Sequence, residues 1–250
     1  MNKNLFKEKL EAKLTAADSD FSICGLVNKD GDIFPLGTDT KVLSTLFELF
    51  VRPILVEFAK ENNLDFSEAS VQNCYPDFTL TDSSKSQPNR IAIDVKTTYV
   101  KQTGKKFKYT LGGYTSFIRN PTKNIAHPFD EYESHWVIGF VYTRVATRKS
   151  ADAKVYSLAD VEKIPLAYKD VEWFVEEKWK LSGDSAGSGN TTNIGSVNEN
   201  IEWFKKPEPI FKDEEEFLDF WRHYGKTKKE REKSFKNLDE FRSWKNTKSS

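Results

Sequence analysis

The sequence predicts an α/β protein in which helical segments lie at both ends of the chain and β-strands occupy its middle. Residues 3–17 and 40–60 carry apolar side chains at helical spacing, and the C-terminal part predicts two further helices. Between them lie runs rich in β-branched and aromatic residues, at 78–80, 90–97, 105–111, 135–145 and 171–179. This order is typical of a sheet that is covered by helices.

The composition limits the class of protein but leaves its partners open. With 250 residues and 38% hydrophobic content, the chain is long enough for one large domain with a sizeable core. Its 38 basic and 38 acidic residues cancel, and a neutral total neither supports nor excludes nucleic-acid binding. Cys24 and Cys74 form neither a disulfide framework nor a zinc-binding pattern. Because no stretch resembles a signal peptide or a membrane span, we expect a soluble protein in a reducing, intracellular setting.

The first quarter of the chain predicts a helix, a hairpin and a second helix. Residues 3–17 place leucine and phenylalanine on one helical face. Residues 21–37 predict a β-hairpin with its turn at 29–32. Residues 40–60 are apolar nearly all round, so we expect a buried helix, kinked at Pro53 and interrupted by one acid, Glu48.

A small, polar segment at 182–196, SGDSAGSGNTTNIGS, has two interpretations. Its composition is typical of a flexible linker between domains. Alternatively it is a functional loop, since its glycines let the backbone approach another molecule closely. Beyond it, Asp213 and Asn237 each precede a glutamate by three residues, which is the spacing of a capping box and marks the start of two helices.

One predicted strand, 90–97, carries the most informative side chains. Its isoleucines and Val95 alternate with Asp94 and Lys96, so the apolar residues share the core face and the charged pair shares the other. Asp77, at the start of a neighbouring strand, can bring a second carboxylate to the same point. Two carboxylates are a natural ligand set for Mg²⁺, and Lys96 can hold an attacking water and offset charge on phosphorus. The simpler alternative is an edge strand that carries a surface ion pair.

The longer pattern favours a nuclease. Pro76-Asp77, sixteen residues and Asp94-Val95-Lys96 resemble the PD-(D/E)xK nuclease superfamily. Nearly the whole chain is similar to EcoRV-like type II restriction endonucleases, most clearly in the segments GTDTKVLST (37–45), TLGGYTSFIRN (110–120), VYTRVATRKS (141–150), AGSGNTTNIGS (186–196) and EFLDFWR (216–222). The resemblance implies a restriction-endonuclease-like fold, with a mixed central β-sheet flanked by helices.

The resemblance also implies a role for each residue of the charged constellation. Asp77 and Asp94 correspond to two metal-binding carboxylates and Lys96 to a catalytic lysine, with Mg²⁺ as the cofactor. Glu48 corresponds to an accessory acid that helps to bind a second metal or aligns the site. A buried acid paired with a neighbouring base is the alternative for Glu48.

The same resemblance predicts residues that contact DNA. A loop that enters the major groove contains Gly187, Ser188, Gly189, Asn190, Thr191 and Asn193, and a loop that meets the minor groove contains Gln72 and Asn73. Further contacts are expected at Lys41, Thr98, Thr115, Ser116, Arg119, Lys123 and Arg144. The chain departs from the family at Val71, in place of a glutamine, and at Cys74, in place of a histidine, which leaves the contacts of the second loop open.

For the chain as a whole, the resemblance implies one restriction endonuclease domain, 1–250, with a dimerisation part at about 19–60 and a DNA-binding and catalytic part at about 61–250. It implies a homodimer in the bacterial cytoplasm that cuts double-stranded DNA at GATATC to blunt ends with 5′-phosphates. A cognate DNA methyltransferase is then expected in the same host. Two other functions stay open: a repair or junction-cutting nuclease of the same superfamily, and a catalytically inactive DNA-binding protein.

Overall fold

The computed structural model describes residues 1–17, 21–71, 74–84, 88–145, 154–188 and 191–248. The helices are α1 (Lys3–Ala16), α2 (Thr40–Glu61), α3 (Lys178–Leu181), α4 (Ile201–Lys205), α5 (Glu214–His223), α6 (Lys228–Lys233) and α7 (Leu238–Lys248). The strands are β1 (Gly25–Val27), β2 (Ile33–Pro35), β3 (Asp65–Glu68), β4 (Phe78–Asp82), β5 (Asn89–Val100), β6 (Thr110–Gly113), β7 (Tyr132–Arg144), β8 (Tyr168–Glu177), β9 (Ser182–Ser188) and β10 (Thr191–Ser196). A π-helical turn, Tyr114–Ile118, follows β6.

The central sheet has five strands in the order β3-β4-β5-β7-β8. β5 and β7 are parallel and the other pairs are antiparallel, so the sheet is mixed, as predicted. β5 has a partner on each side, and the interpretation of Asp94 and Lys96 as an ion pair on an edge strand is therefore wrong. A second sheet, β6-β10-β9, is antiparallel, and β1 and β2 form the hairpin predicted near the N-terminus.

Both faces of the central sheet are buried, which explains the near-continuous apolar run of β7, WVIGFVY. On one face, Ile93 and Val95 pack into a core with α1 and α2, where Phe47 is a central side chain. On the other face, Ala92 and Phe174 pack into a core with the second sheet and the C-terminal helices. The predicted alternation of β5 is confirmed. Across the described ranges, no helix combines the length and the apolar character that crossing a membrane requires.

The polar segment at 182–196 is a paired element, so the linker interpretation is wrong. β9 and β10 pair with each other, and β10 also pairs with β6. Ile194 is fully buried, as is Ser182. The composition misled because small residues also suit two strands whose backbones lie very close together.

One other strand prediction needs correction, and one strand was missed. The strand predicted at 105–111 is shorter than expected, since β6 begins at Thr110 and Phe107 makes only a single bridge with Glu199. Among the described residues, the lysine-rich segment before Thr110 does not pair with a neighbouring strand over its length, so it is not part of a sheet. β3 was missed because its sequence, DFSE, carries no apolar run to mark it.

The C-terminal part contains more helices than the two predicted. α5 and α7 begin where expected, and the side chains of Asp213 and Asn237 accept hydrogen bonds of 2.8 and 2.9 Å from backbone N–H groups three residues on. α6 was missed because it is charged throughout and has no apolar stripe. Its start is marked by a complete capping box between Thr227 and Glu230.

Candidate active site

Strand pairing brings the two predicted metal-binding aspartates together. Asp94 lies on β5 opposite Val137 of β7, and Asp77 directly precedes β4, the antiparallel neighbour of β5. The Oδ2 atom of Asp77 accepts a 2.7 Å hydrogen bond from the backbone N–H of Val95. This bond fixes the orientation of the Asp77 carboxylate relative to β5.

Asp94 is held between two lysines. Its Oδ1 accepts a 2.7 Å hydrogen bond from Lys96 Nζ, and its Oδ2 accepts one of 2.9 Å from Lys178 Nζ. The Asp94 residue is 4% exposed and Lys178 is 2% exposed, so this pair lies inside the protein. Lys96 is half-buried, and its Nζ also lies 4.0 Å from Asp77 Oδ2. Lys96 therefore stands between the two carboxylates, and Lys178 lies behind Asp94.

This arrangement separates the pKa values of the two aspartates. Burial raises the pKa of Asp94, but the ammonium groups of Lys178 and Lys96 outweigh it and lower that pKa to about 2. Burial also raises the pKa of Asp77. Lys96 lowers that pKa by less than burial raises it, and the negative charge of Asp94 raises it further, so the pKa of Asp77 is about 7. Burial lowers the pKa of Lys96, yet Asp94 and Asp77 raise it by more.

Glu48 approaches the same place from α2. Burial raises the pKa of Glu48, Lys96 lowers it and Asp94 raises it further. Glu48 therefore interacts electrostatically with both Lys96 and Asp94. Glu48 and Asp77 line a cleft of about 420 Å³. Arg52, one turn further along α2, pairs with Glu68, so this base is engaged with another acid.

The donor set suits a hard divalent cation that keeps part of its water shell. Asp77 and Asp94 offer carboxylate oxygens on either side of Lys96 Nζ, and such oxygens are the ligands that Mg²⁺ and Ca²⁺ prefer. In the part of the chain that is described, no three acidic, histidine or cysteine side chains group closely enough to enclose a metal ion by themselves. Glu48 is thus near the pair but is not grouped with it as a third ligand.

Lys178 is a site residue that the sequence analysis missed. It begins α3, directly after β8, and its Nζ lies 3.9 Å from the centre of the Tyr75 ring. The Tyr75 hydroxyl in turn shares a 2.9 Å hydrogen bond with His135 Nδ1. In the sequence, Lys178 is visible only as a lysine at the end of a β-prone run. Its contact with Asp94, 84 positions away, is not predictable from that run alone.

The loop predicted to enter the major groove connects β9 and β10. Gly189 and Asn190 lie outside the described residues, as do the side chains of Ser188 and Thr191. Gly187, on β9, lies so close to β10 that a Cβ atom there would be 2.9 Å from the carbonyl oxygen of Ile194. A side chain at position 187 would therefore push the two strands apart.

β10 is joined to the π-helical turn after β6 at a point close to the turn of this hairpin. The hydroxyls of Thr115 and Thr192 are hydrogen-bonded to each other. Asn193, another predicted contact, pairs with Gly113 of β6. Two of the predicted DNA-contact segments, near 115 and near 193, are thus neighbours in space.

The remaining predicted DNA contacts lie in several parts of the structure. Lys41 is exposed in the first turn of α2, and Thr98 follows Lys96 on the same face of β5. Ser116 donates a 2.8 Å hydrogen bond to the carbonyl oxygen of Lys123. Gln72 and Asn73 lie outside the described residues.

Two predicted DNA-contact arginines have partners within the protein. The guanidinium of Arg119 donates hydrogen bonds to the backbone carbonyl oxygens of Trp221 and Tyr224 at the end of α5. Arg144 donates a 2.8 Å hydrogen bond to the carbonyl oxygen of Thr38. Arg119 in particular has a structural role, which the sequence analysis did not foresee.

Comparison with known proteins defines the class to which this fold and site belong. Residues 17–246 match the family described as Restriction endonuclease EcoRV, and the chain belongs to that family. It is a type II restriction endonuclease of the EcoRV-like kind, and the family implies a divalent metal cofactor and action on DNA.

The individual relatives differ widely in their similarity. The chain is 52% identical over 225 residues to the Type II restriction enzyme EcoRV of Escherichia coli. The aligned region covers 90% of this chain and 91% of that protein. A solved structure of the NlaIV restriction endonuclease is 14% identical, with a TM-score of 0.46 over 96% of this chain and 85% of the other.

The raised pKa of Asp77 predicts a specific pH dependence of stability in the absence of metal. Between pH 4 and 7 the folded protein binds a proton on Asp77 that the unfolded chain has released, so the free energy of unfolding falls as pH rises. We expect Asp77→Asn to remove roughly 2–3 kcal/mol of that fall between pH 5 and pH 8. The measurement is urea unfolding in EDTA at constant protein concentration.

The matched control is Asp65→Asn, which removes an exposed acid from β3 and should keep the wild-type dependence on pH. The same fall in Asp77→Asn and in the wild type would contradict the raised pKa.

Proposed function

We propose that the protein is a Mg²⁺-dependent homodimeric endonuclease that cuts both strands of GATATC at the centre, leaving blunt ends with 5′-phosphates. The observation that carries this proposal is the placement of Asp77, Lys96 and Asp94 around one point of the central sheet. Family membership supplies the class of reaction, and the geometry supplies a place for it. The host is then a bacterium that carries a cognate DNA methyltransferase, and the enzyme acts in its cytoplasm.

The charged residues divide the work of phosphodiester hydrolysis. Asp77 and Asp94 would hold Mg²⁺, which when bound lowers the pKa of a water and neutralises charge on the phosphate. Lys96 lies between both carboxylates, so its ammonium can hold the attacking water and face the charge that develops on phosphorus. Glu48 lines the same cleft as Asp77 and acts as the accessory acid.

DNA recognition is assigned to the hairpin β9–β10 and the segments beside it. Gly187 permits close strand packing, and Asn190 would pair with an adenine through its N6 and N7 positions. Further contacts are proposed for Ser188, Gly189, Thr191, Asn193, Gln72, Asn73, Lys41, Thr98, Thr115, Ser116, Arg119, Lys123 and Arg144. The hydroxyl pair of Thr115 and Thr192 would hold the hairpin in place.

The dimer is assigned to residues of about 19–60, with the DNA-binding and catalytic part at about 61–250 of the same domain. Leu26 and Phe34 lie directly opposite each other on β1 and β2 and are 54% and 47% exposed. Leu49, on α2, is 55% exposed. Large apolar side chains this open to solvent suit an interface. A two-fold dimer would present one active site to each strand of a palindrome.

The first test separates catalysis from binding. Asp94→Asn should lower the cleavage rate of plasmid DNA at least about 10³-fold, because it removes a charged ligand. Lys96→Met should lower the rate about 10²-fold or more, while DNA affinity measured in Ca²⁺ changes less than about 10-fold. Digestion in Mg²⁺ and gel shifts in Ca²⁺ measure the two quantities.

The control is again Asp65→Asn, which should cut like the wild type. Near-normal cutting by Asp94→Asn would reject the site. The pattern cut by the wild type decides among functions, since discrete fragments indicate restriction, structure-dependent cuts indicate a repair or junction nuclease, and no cutting indicates an inactive DNA-binding protein.

The second test concerns assembly. The protein should sediment as a dimer at micromolar concentration without DNA. Leu26→Glu with Phe34→Glu should weaken that dimer at least about 10-fold, because buried charges replace apolar contacts. Leu5→Glu, on the exposed face of α1, should leave it unchanged. A monomeric wild type would contradict the proposed dimer.

The third test concerns specificity. Asn190→Ala should lose cutting at GATATC, because a bidentate base contact contributes roughly 1–3 kcal/mol and both half-sites lose it. Asn198→Ala, an exposed amide beyond β10, should cut normally. Sequencing the ends of a digested plasmid of known sequence locates the cuts, and ends other than GAT/ATC would reject the site but keep the nuclease.

A further inference from the structure

Asp94, the proposed metal ligand, contacts a second lysine, Lys178, which is buried. Lys178 is 2% exposed, and its Nζ lies 2.9 Å from Asp94 Oδ2. Lys96 occupies the other oxygen of the same carboxylate, at 2.7 Å, but it is half-buried and also lies near Asp77. The proposed chemistry uses Lys96 and leaves Lys178 without a function.

The surroundings of Lys178 confine its ammonium group to this position. Besides its contact with Asp94, Nζ lies 3.9 Å from the centre of the Tyr75 ring and 5.4 Å from that of Phe117. Aromatic faces attract a cation, so the ring stabilises the charge that burial would otherwise disfavour. Burial still lowers the pKa of Lys178 to about 8, although Asp94 raises it, so at neutral pH Lys178 is mainly protonated and places a positive charge next to Asp94.

We propose that Lys178 is a positioning residue that holds the Asp94 carboxylate and lowers its affinity for a divalent cation in the DNA-free enzyme. The inference rests on the proposed function, in which Asp94 is a metal ligand. It adds that the strength of metal binding is set by a residue that does not itself touch the metal.

The physical reason is the balance of charge around the cleft. When all are ionised, three carboxylates (Glu48, Asp77 and Asp94) face two ammonium groups (Lys96 and Lys178), so the site carries one net negative charge. Removing Lys178 doubles that charge. Because Coulomb repulsion scales with the product of the charges, a divalent cation is repelled twice as strongly as a monovalent one by the same buried ammonium.

An opposing effect is smaller. Loss of an outer hydrogen bond that orients a metal ligand typically weakens metal binding about 10- to 100-fold. In this site Asp94 keeps its second hydrogen bond, from Lys96, so its orientation is only partly lost. The removal of a full charge close to a divalent ion therefore dominates, and the net effect is tighter binding.

The test is titration of the DNA-free protein with Mn²⁺, followed by the electron paramagnetic resonance of free Mn²⁺. Lys178→Met fills the same volume against Tyr75 without a charge and should bind Mn²⁺ at least about 10-fold more tightly than the wild type. Lys178→Gln keeps an N–H donor on a side chain that is one bond shorter, and it should also bind more tightly, because it lacks the charge. The matched control is Lys180→Met, a lysine of the same helix that pairs with Glu176 and Glu177 instead and should not change the affinity.

The outcomes separate this inference from the proposed function. Unchanged or weaker binding in Lys178→Met and Lys178→Gln, with native circular dichroism, would overturn the role of Lys178. If Asp94→Asn then still loses Mn²⁺, the metal site itself stands. If Asp94→Asn binds Mn²⁺ like the wild type, the metal site fails and the inference fails with it. A variant that was merely distorted would bind metal less tightly, so a gain in affinity cannot come from structural damage.

Discussion

The site depends on one interaction, the Asp94 carboxylate held between Lys96 and Lys178 inside the central sheet. A carboxylate that is 4% exposed needs compensating partners, because an isolated charge loses its hydration on burial. Each Asp94 oxygen has one ammonium partner, at 2.7 and 2.9 Å. The mixed sheet allows both contacts, since Asp94 lies on β5 between two partner strands and Lys178 directly follows the end of β8.

The same interaction gives the two aspartates different chemistry. Asp94 pairs with both Lys96 and Lys178 and stays ionised, with a pKa of about 2. Asp77 has only the more distant contact with Lys96, and its pKa is about 7. An arriving cation favours the ionised form of both groups. The pair therefore contains one permanent anion and one carboxylate that changes its protonation near neutrality, and metal binding is expected to release a proton from Asp77.

The sequence was most predictive where the pattern was local. The alternation along β5 correctly placed Asp94 and Lys96 on one face, and the caps at Asp213 and Asn237 correctly marked two helices. Composition misjudged 182–196, since pairing between strands is not visible in a single segment. Lys178 could not be identified because its significance depends on Asp94, which lies on β5, far from α3 in the sequence.

The structure also links the proposed recognition hairpin to Asp94, the proposed metal-binding carboxylate, through a series of contacts. Thr192 of β10 is hydrogen-bonded to Thr115 in the π-helical turn, and two residues further on Phe117 stacks on Tyr75 with ring centres 4.1 Å apart. Tyr75 in turn faces the ammonium of Lys178, the partner of Asp94. Contact alone is not energetic coupling. In this chain of contacts Tyr75 and Lys178 are the groups that separate the π-helical turn from the Asp94 carboxylate. The proposed recognition hairpin and the proposed metal-binding carboxylate are therefore joined by a continuous series of contacts that includes one buried lysine.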